Sequence, residues 1–125
     1  MVFTSWRSDI DVINAGLDII ALTSLNEGTP VSLIEAQAAN KPIVSTRVGG
    51  IADVVIENET ALLSNVSDVK TFTDNLLELV ENDEFRKALG KTGMNHVQEK
   101  FSVERLVANT ANLYRELLVK KNPKK

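Results

Sequence analysis

The run Leu17-Asp18-Ile19-Ile20-Ala21-Leu22, the polar stretch Thr23 to Thr29 and the helix-forming segment from Pro30 to Ala39 constrain this chain most. Together they read as a buried strand, a turn and a buried helix in immediate succession. The apolar run lacks the alternation of a half-exposed strand and suits one covered on both faces of a parallel sheet. Pro30 suits the first helical position, where its missing N–H costs nothing, and Leu33, Ile34, Ala36, Ala38 and Ala39 favour burying the helix that follows. A strand that passes into a helix at its carboxyl end belongs to an open α/β sheet, and such sheets bind ligands at that edge.

The rest of the chain extends the pattern. Strands are predicted over Val2 to Thr4, Asp18 to Leu22, Ile43 to Ser45 and Ala61 to Leu63, and helices over Asp9 to Ala15 and Pro30 to Ala39. After Ser67, a candidate N-cap, Val69, Phe72, Leu76, Leu79 and Val80 keep helical spacing up to a break at Asn82-Asp83. Phe85, Ala88 and Leu89 continue in a short helix that Gly90 and Gly93 weaken. Ser102 then caps a last helix whose stripe of Val103, Leu106, Val107, Thr110, Leu113, Tyr114 and Leu117 is most simply core packing against the sheet. The expected class is α/β, a partial Rossmann-like parallel sheet flanked by helices with a helical C-terminal segment. Residues 1–120 form one domain in this reading, and 121–125 a basic flexible tail.

The turn and helix hold the candidate chemistry. The amides of Val31, Ser32 and Leu33 are free donors at a helix mouth and, with the helix dipole, can receive an anion such as a diphosphate. Glu27 beside that mouth repels a phosphate. It is better suited to neutral hydroxyls, which donate to an ionised acceptor for about 1.5–3 kcal/mol each. Glu35 lies further into the helix, and because side chains lean toward the helix N-terminus its oxygens are expected over Val31 and Ser32, where both hydroxyls of a ribose could donate to them. The plainer alternatives are a Glu that favours a helix N-terminus and a Glu on a solvated face.

Composition excludes several other chemistries. A net charge of −3 and the lack of a basic face interleaved with aromatics argue against nucleic acid as a partner. The absence of cysteine excludes disulfides and thiolate metal sites and suits a reducing compartment. His96, the single histidine, lies among Asn95, Val97 and Gln98 and is expected at the surface. No H-E-x-x-H, G-x-S-x-G, G-x-G-x-x-G or Walker sequence occurs, so no metal and no other cofactor is expected. No segment approaches the ~20 apolar residues of a membrane span and Met1 to Ile10 lacks a signal peptide's pattern, which predicts a cytoplasmic protein. The lysines at 120, 121, 124 and 125 read as a solvated end, and they leave peripheral membrane contact open.

Ser24 to Ala39, read as S-x-N-E-G-x-P-x-x-x-x-E-A-x-A-A, places Glu27 and Glu35 at an E-x7-E spacing. With Lys41-Pro42-Ile43-Val44-Ser45-Thr46, Val48-Gly49-Gly50-Ile51-Ala52-Asp53-Val54 and Phe101-Ser102-Val103-Glu104, this segment resembles the donor-binding part of group-1 (GT4-like) retaining glycosyltransferases of the two-Rossmann-domain, GT-B, architecture. The resemblance covers almost the whole chain in the family's order. It implies a nucleotide-diphosphate sugar as substrate, transfer of the sugar to a hydroxyl acceptor in glycan, polysaccharide or glycolipid synthesis, and no bound metal. It assigns Glu27 to the donor sugar, as the residue that orients it for catalysis, and Glu35 to the ribose. Gly28, Thr29, Pro30, Val31 and Ser32 would line the sugar and diphosphate with backbone.

Gly49-Gly50 brings unhindered backbone to the same edge, or forms a tight turn that needs a positive φ. Trp6-Arg7 occupies the place where the family passes the nucleotide base. Trp6 is either a stacking platform or a core residue, and the family's preceding glycine is Ser5 here.

The resemblance also implies what is absent. Family members carry an acceptor-binding domain and opening strands with basic residues that clamp the diphosphate, and no Lys or Arg in Val2 to Ser45 replaces them. Backbone amides and a helix dipole supply about 1–3 kcal/mol toward an anion, against the roughly 8 kcal/mol of micromolar binding, so the chain alone should bind a donor weakly. In the strand order 3-2-1-4-5-6 the chain would supply strands 3 to 6 and lack two between. Either Met1 to Thr4 pairs onto Asp18 to Leu22, or an exposed sheet edge recruits another chain, including a second copy. The alternative function is a non-catalytic module or split-enzyme subunit that needs an N-terminal acceptor domain or partner chain.

Overall fold

A computed structural model describes residues 1–121, and the tail beyond Lys121 lies outside the described residues. The element order is α1 (Ile10–Gly16), β1 (Ile20–Leu22), α2 (Val31–Ala38), β2 (Ile43–Thr46), α3 (Ile51–Val54), β3 (Ala61–Ser64), α4 (Val69–Glu81), α5 (Asp83–Lys100) and α6 (Val103–Lys121). The three strands form one parallel sheet in the order β1-β2-β3, with Ile20 opposite Ile43 and Ile43 opposite Ala61.

β2 and β3 are buried at every position, which is why neither shows polar alternation. Side chains of odd number on β2 and β3, among them Ile43, Ala61 and Leu63, meet Leu33 and Ala36 of α2 and Ile51 and Val54 of α3. Val44 and Leu62 point the other way and meet Leu79 of α4 and Leu89 of α5, with Phe72, Leu76 and Phe85 around them.

Three expectations change at the first strand. Val2 to Thr4 is not a strand; Val2 and Phe3 are exposed, and β1 has β2 as its sole neighbour among the described residues. The four strands expected are therefore three. α1 packs on α2, and the segment before it meets no strand to pair with. β1 itself is short, starting at Ile20 rather than Asp18, because Asp18 and Ile19 precede the first residue paired with β2. Among the described residues its outer edge is unpaired.

Helix ends differ from expectation in ways that local hydrogen bonds explain. Pro30 is the N-cap of α2, not its first residue. Asp68 rather than Ser67 caps α4, accepting from the Thr71 amide at 2.9 Å and the Thr71 hydroxyl at 2.7 Å, which holds its carboxyl below the usual range. The Asn82 side chain accepts from the Phe85 amide at 3.0 Å, so the break between α4 and α5 is a shared cap.

Gly90 and Gly93 do not weaken a short helix; they lie inside the 18-residue α5 and are both buried. A Cβ on Gly90 would stand 2.5 Å from the Asn40 carbonyl oxygen, and one on Gly93 would stand 3.1 Å from Gln37 Cγ. Their bare backbone is what lets α5 lie against α2. Gln37 is fully buried there, and its side-chain amide donates to the carbonyls of Leu33 at 3.2 Å and Val54 at 2.9 Å, tying α2 to α3.

Two further expectations fail. His96 is buried, with Phe101 edge-on at 6.1 Å between ring centroids, because it lies on the face of α5 that also buries Gly93 and Val97. The stripe of α6 is not core packing: among the described residues α6 buries none of its side chains, and Leu106, Leu113, Tyr114 and Leu117 are all more than half exposed. Among the described residues no helix is long and apolar enough to cross a membrane.

Candidate nucleotide-sugar site

The site is built where β1 and β2 end. β1 gives way at Thr23 to a loop without regular structure that reaches Pro30 and enters α2. β2 gives way at Arg47 to Val48, Gly49 and Gly50, which enter α3. The two connections interlock. The Gly50 amide donates to the Gly28 carbonyl at 3.1 Å and the Glu27 carbonyl at 3.3 Å. A Cβ on Gly49 would lie 1.8 Å from the Glu27 carbonyl oxygen, and one on Gly50 would lie 2.2 Å from that of Gly28. Gly49 also holds φ at +49°, in the left-handed region that favours glycine. The pair therefore serves both purposes at once, a positive-φ turn and a close backbone approach.

Glu27 is partly buried, and its carboxylate accepts from the Ser24 hydroxyl at 2.6 Å. Ser24 is fixed in turn, because its carbonyl accepts from the Thr46 hydroxyl at 2.6 Å. The helix mouth beside Glu27 is narrower in free donors than expected. The Leu33 amide bonds the Pro30 carbonyl at 3.0 Å, leaving Val31 and Ser32 as the first-turn amides that face outward. Gly28 and Thr29 are exposed beside them, and Pro30 is buried.

Glu35 lies elsewhere on the same helix. It is exposed and lines a groove of ≈ 330 Å³ between α1 and α2, with Ile10, Asp11, Asn14, Ala38 and Ala39. Among the described residues no donor bonds its carboxylate. Asn14, 7 % exposed, stands across that groove.

Glu27, Gly28, Val31, Ser32, Gly49 and Gly50 are thus neighbours in one constellation, and Glu35 opens on its own groove. Trp6 and Arg7 belong to neither. Trp6 is 93 % exposed, so it is not the core residue that its size suggested. Arg7 bonds Asp9, Nε to Oδ1 at 2.8 Å. Ser5, in the place of a glycine, takes φ +56°.

Three residues here were not singled out from sequence. Ser24 and Thr46 are small hydroxyl side chains whose part depends on a loop meeting a strand end. Arg47 puts a cation beside the Gly49-Gly50 turn, but its guanidinium is engaged by Glu57, with Nη1 to Oε2 at 2.6 Å, which lowers the Glu57 carboxyl below its usual range. A second, smaller cleft of ≈ 180 Å³ opens across the strand ends between Thr23, Thr46, Ser64 and Phe72. Among the described residues no three acidic or histidine side chains converge to hold a metal ion.

The profile of the family described as "Glycosyl transferases group 1" matches residues 1–96. The chain belongs to the group 1 glycosyl transferases. It is 35% identical over 98 residues to an uncharacterized glycosyltransferase of Methanocaldococcus jannaschii, covering 78% of this chain and 28% of that protein. The sucrose-phosphate synthase of Thermosynechococcus elongatus has the same fold with a TM-score of 0.79 and 28% identity, over 87% of this chain and 27% of that one. HepE of Anabaena in complex with UDP superposes with a TM-score of 0.83 at 20% identity, over 88% of this chain and 30% of that one. The chain thus spans under a third of these relatives. This group 1 glycosyltransferase chain has the α/β fold of a GT-B C-terminal domain, with a three-stranded parallel sheet between helices, and its family consists of transferases.

Proposed function

We propose that the carboxyl edge of this sheet is the donor site of a retaining glycosyltransferase, which moves a sugar from a nucleotide diphosphate to a hydroxyl acceptor. The observation that carries the reading is the fixed position of Glu27. Glu27 stands in the loop that enters α2, its carboxylate tethered by the Ser24 hydroxyl and its backbone carbonyl by the Gly50 amide. The ligand that satisfies both neighbours is neutral and rich in hydroxyls at Glu27, and anionic at the amides of Val31 and Ser32. A sugar joined to a diphosphate has that polarity. HepE, which shares the fold, is a protein that holds UDP.

In this reading Glu27 accepts hydrogen bonds from the donor sugar and orients its anomeric carbon, and Glu35, in its groove beside Asn14, takes the ribose hydroxyls. The bond from the anomeric carbon to the diphosphate breaks, one to the acceptor oxygen forms, and the proton of the acceptor hydroxyl passes to the departing diphosphate oxygen. The charge left on the diphosphate faces the mouth of α2, where preorganised amides stabilise it. Gly28, Thr29 and Pro30 shape the backbone there. This reading assigns no side chain of the described site as a nucleophile and places the catalysis in positioning.

A second reading draws on the unpaired edge of β1 and the uncovered stripe of α6. Both suit a chain that works only beside further protein, either an acceptor domain or another subunit.

The test is a titration of the 125-residue chain with UDP-, GDP- and ADP-glucose, followed by amide NMR shifts. The expected result is saturable binding near millimolar, about −4 kcal/mol, that moves Gly28 to Ser32 and Gly49-Gly50 and is lost in Glu35→Ala. In the complete enzyme Glu27→Ala should lower turnover by about two orders of magnitude or more. Near-normal turnover removes Glu27 from its role, and shifts confined to other surfaces remove the site.

A further inference from the structure

The loop that carries Glu27 runs from Thr23 to Thr29 with no regular structure of its own, so the aim of the carboxylate depends on what ties the loop down. Among the described residues it has two ties to the rest of the fold. One is the Gly50 amide on the carbonyls of Glu27 and Gly28. The other is the Thr46 hydroxyl on the carbonyl of Ser24 at 2.6 Å. They differ in what they fix. The glycine tie sets the backbone beneath Glu27, whereas the threonine tie sets Ser24, and Ser24 is the residue whose hydroxyl reaches Glu27 Oε1 at 2.6 Å.

Thr46 is well suited to act as an anchor. It is the last residue of β2, 5 % exposed, and paired in register with Ser64 of β3, so its backbone cannot follow the loop. Its β-branched side chain also has few rotamers to choose from in a packed strand. A buried hydroxyl that spends its proton on a loop carbonyl transmits the position of the sheet to that loop. Ser24 relays it, because one residue accepts through its carbonyl and donates through its side chain.

We propose that Thr46 and Ser24 are positioning residues for the donor sugar: the sheet holds Thr46, Thr46 holds Ser24, and Ser24 holds the Glu27 carboxylate in the orientation that reads sugar hydroxyls. The proposal rests on the donor-site reading above. It adds a distinction which that reading lacks, because the relay ends on the sugar-facing carboxylate and not on the helix-mouth amides. Losing Thr46's hydroxyl should weaken recognition of the sugar and leave recognition of the diphosphate alone.

The experiment uses UDP and UDP-glucose as probes on the 125-residue chain, with Thr46→Val, Thr46→Ser and Ser24→Ala. Thr46→Val keeps the branched shape and loses the hydroxyl, and Thr46→Ser keeps the hydroxyl. The expected result is UDP-glucose binding about fivefold weaker in Thr46→Val and Ser24→Ala, the effect of about one hydrogen bond, with UDP unchanged and Thr46→Ser like the parent. Without any ligand, the Glu27 carboxyl ¹³C resonance should move in Thr46→Val and return in Thr46→Ser. Equal weakening of UDP and UDP-glucose, or a Glu27 resonance indifferent to Thr46, overturns the relay while leaving the donor site standing. A parent chain whose helix-mouth amides respond to neither probe overturns the donor site, and the relay with it.

Discussion

The middle of this chain and its two ends are equally apolar in pattern and opposite in outcome. Between Leu33 and Val97 the chain builds its core, with Leu33, Ile43, Ile51 and Leu79 wholly buried, and of the α4 stripe only its edges, Val69 and Val80, stay exposed. Outside that span Val2, Phe3 and Trp6 at one end and Leu106, Leu113, Tyr114 and Leu117 at the other are exposed. The sequence rule that makes a stripe hydrophobic says that a helix or strand has a face to cover, not that its cover is in the same chain. α6 makes the point sharply. It is a 19-residue helix with a clean stripe and no buried residue, so it owes its shape to local hydrogen bonds and helix propensity rather than to a packed face.

A matched pair of truncations breaks or sharpens this contrast. Leu33→Ala removes a side chain that meets both α3 and the sheet, and should destabilise the chain by about 3 kcal/mol. Leu113→Ala makes the same chemical change on α6 and should alter stability by less than about 0.5 kcal/mol. Urea denaturation of both variants checks the difference. A Leu113→Ala effect close to that of Leu33→Ala would mean that α6 is covered in solution, by the unpaired edge region or by a second copy.

The next effect is smaller, and its sign separates two accounts of α5. If Gly90 merely weakens a helix, Gly90→Ala should stabilise by about 1 kcal/mol, the propensity difference. In the structure a Cβ at Gly90 meets the Asn40 carbonyl oxygen at 2.5 Å, and that oxygen belongs to backbone rather than to a side chain that can swing away. Overpacking of this kind costs about 1–3 kcal/mol, which outweighs the propensity gain. Gly90→Ala should therefore destabilise, by about 1 kcal/mol net. A rise in the urea midpoint would show that α5 does not press on the turn after α2.

The same contrast explains what could be read from sequence. The order of strand, loop and helix from Ile20 to Ala38 was legible because an apolar run, a polar turn holding Glu27 and a helix holding Glu35 follow one another, but the cover on both faces was not: β1 is the edge strand, with Ile20 and Leu22 half-buried and Ala21 exposed. The Gly49-Gly50 turn was legible as a place for glycine, though not its contact with Glu27, because a close approach between two loops leaves no periodicity. Ser24 and Thr46 were invisible as a pair for the same reason: two ordinary hydroxyls 22 positions apart meet only once β1 and β2 are in register. Gly90 and Gly93 were misread because local propensity outweighed a packing reason that lies on α2. Val2 to Thr4 was misread because strand pattern is a property of a segment, whereas a strand requires a neighbour.

His96 marks the border between the two regions, and the smallest predicted effect belongs to it. It is 8 % exposed near the end of α5, next to the buried Val97, and its ring meets Phe101 at the point where the chain leaves for α6. Its Nε2 is buried without a hydrogen-bond partner. Burial first, and then the positive charge of Lys100, hold its pKa below the ordinary 6.5, against smaller opposing effects of a hydrogen bond to the Val54 backbone and of the Glu99 charge. The sign follows from proton counting. Between the lowered folded value and about 6.5, the unfolded chain carries more protons on this residue than the folded one, so stability rises with pH there. The contribution is complete above about pH 6.5 and is lost as pH falls through the folded pKa. His96→Gln removes this titration and leaves the carboxylates, which titrate lower. Urea midpoints from about pH 5 to 8 should therefore fall on acidification in the parent chain and stay level in His96→Gln. Parallel curves for the two would mean that the end of α5 opens to water and shares the exposure of α6, which would move the border of the packed region back toward Leu89.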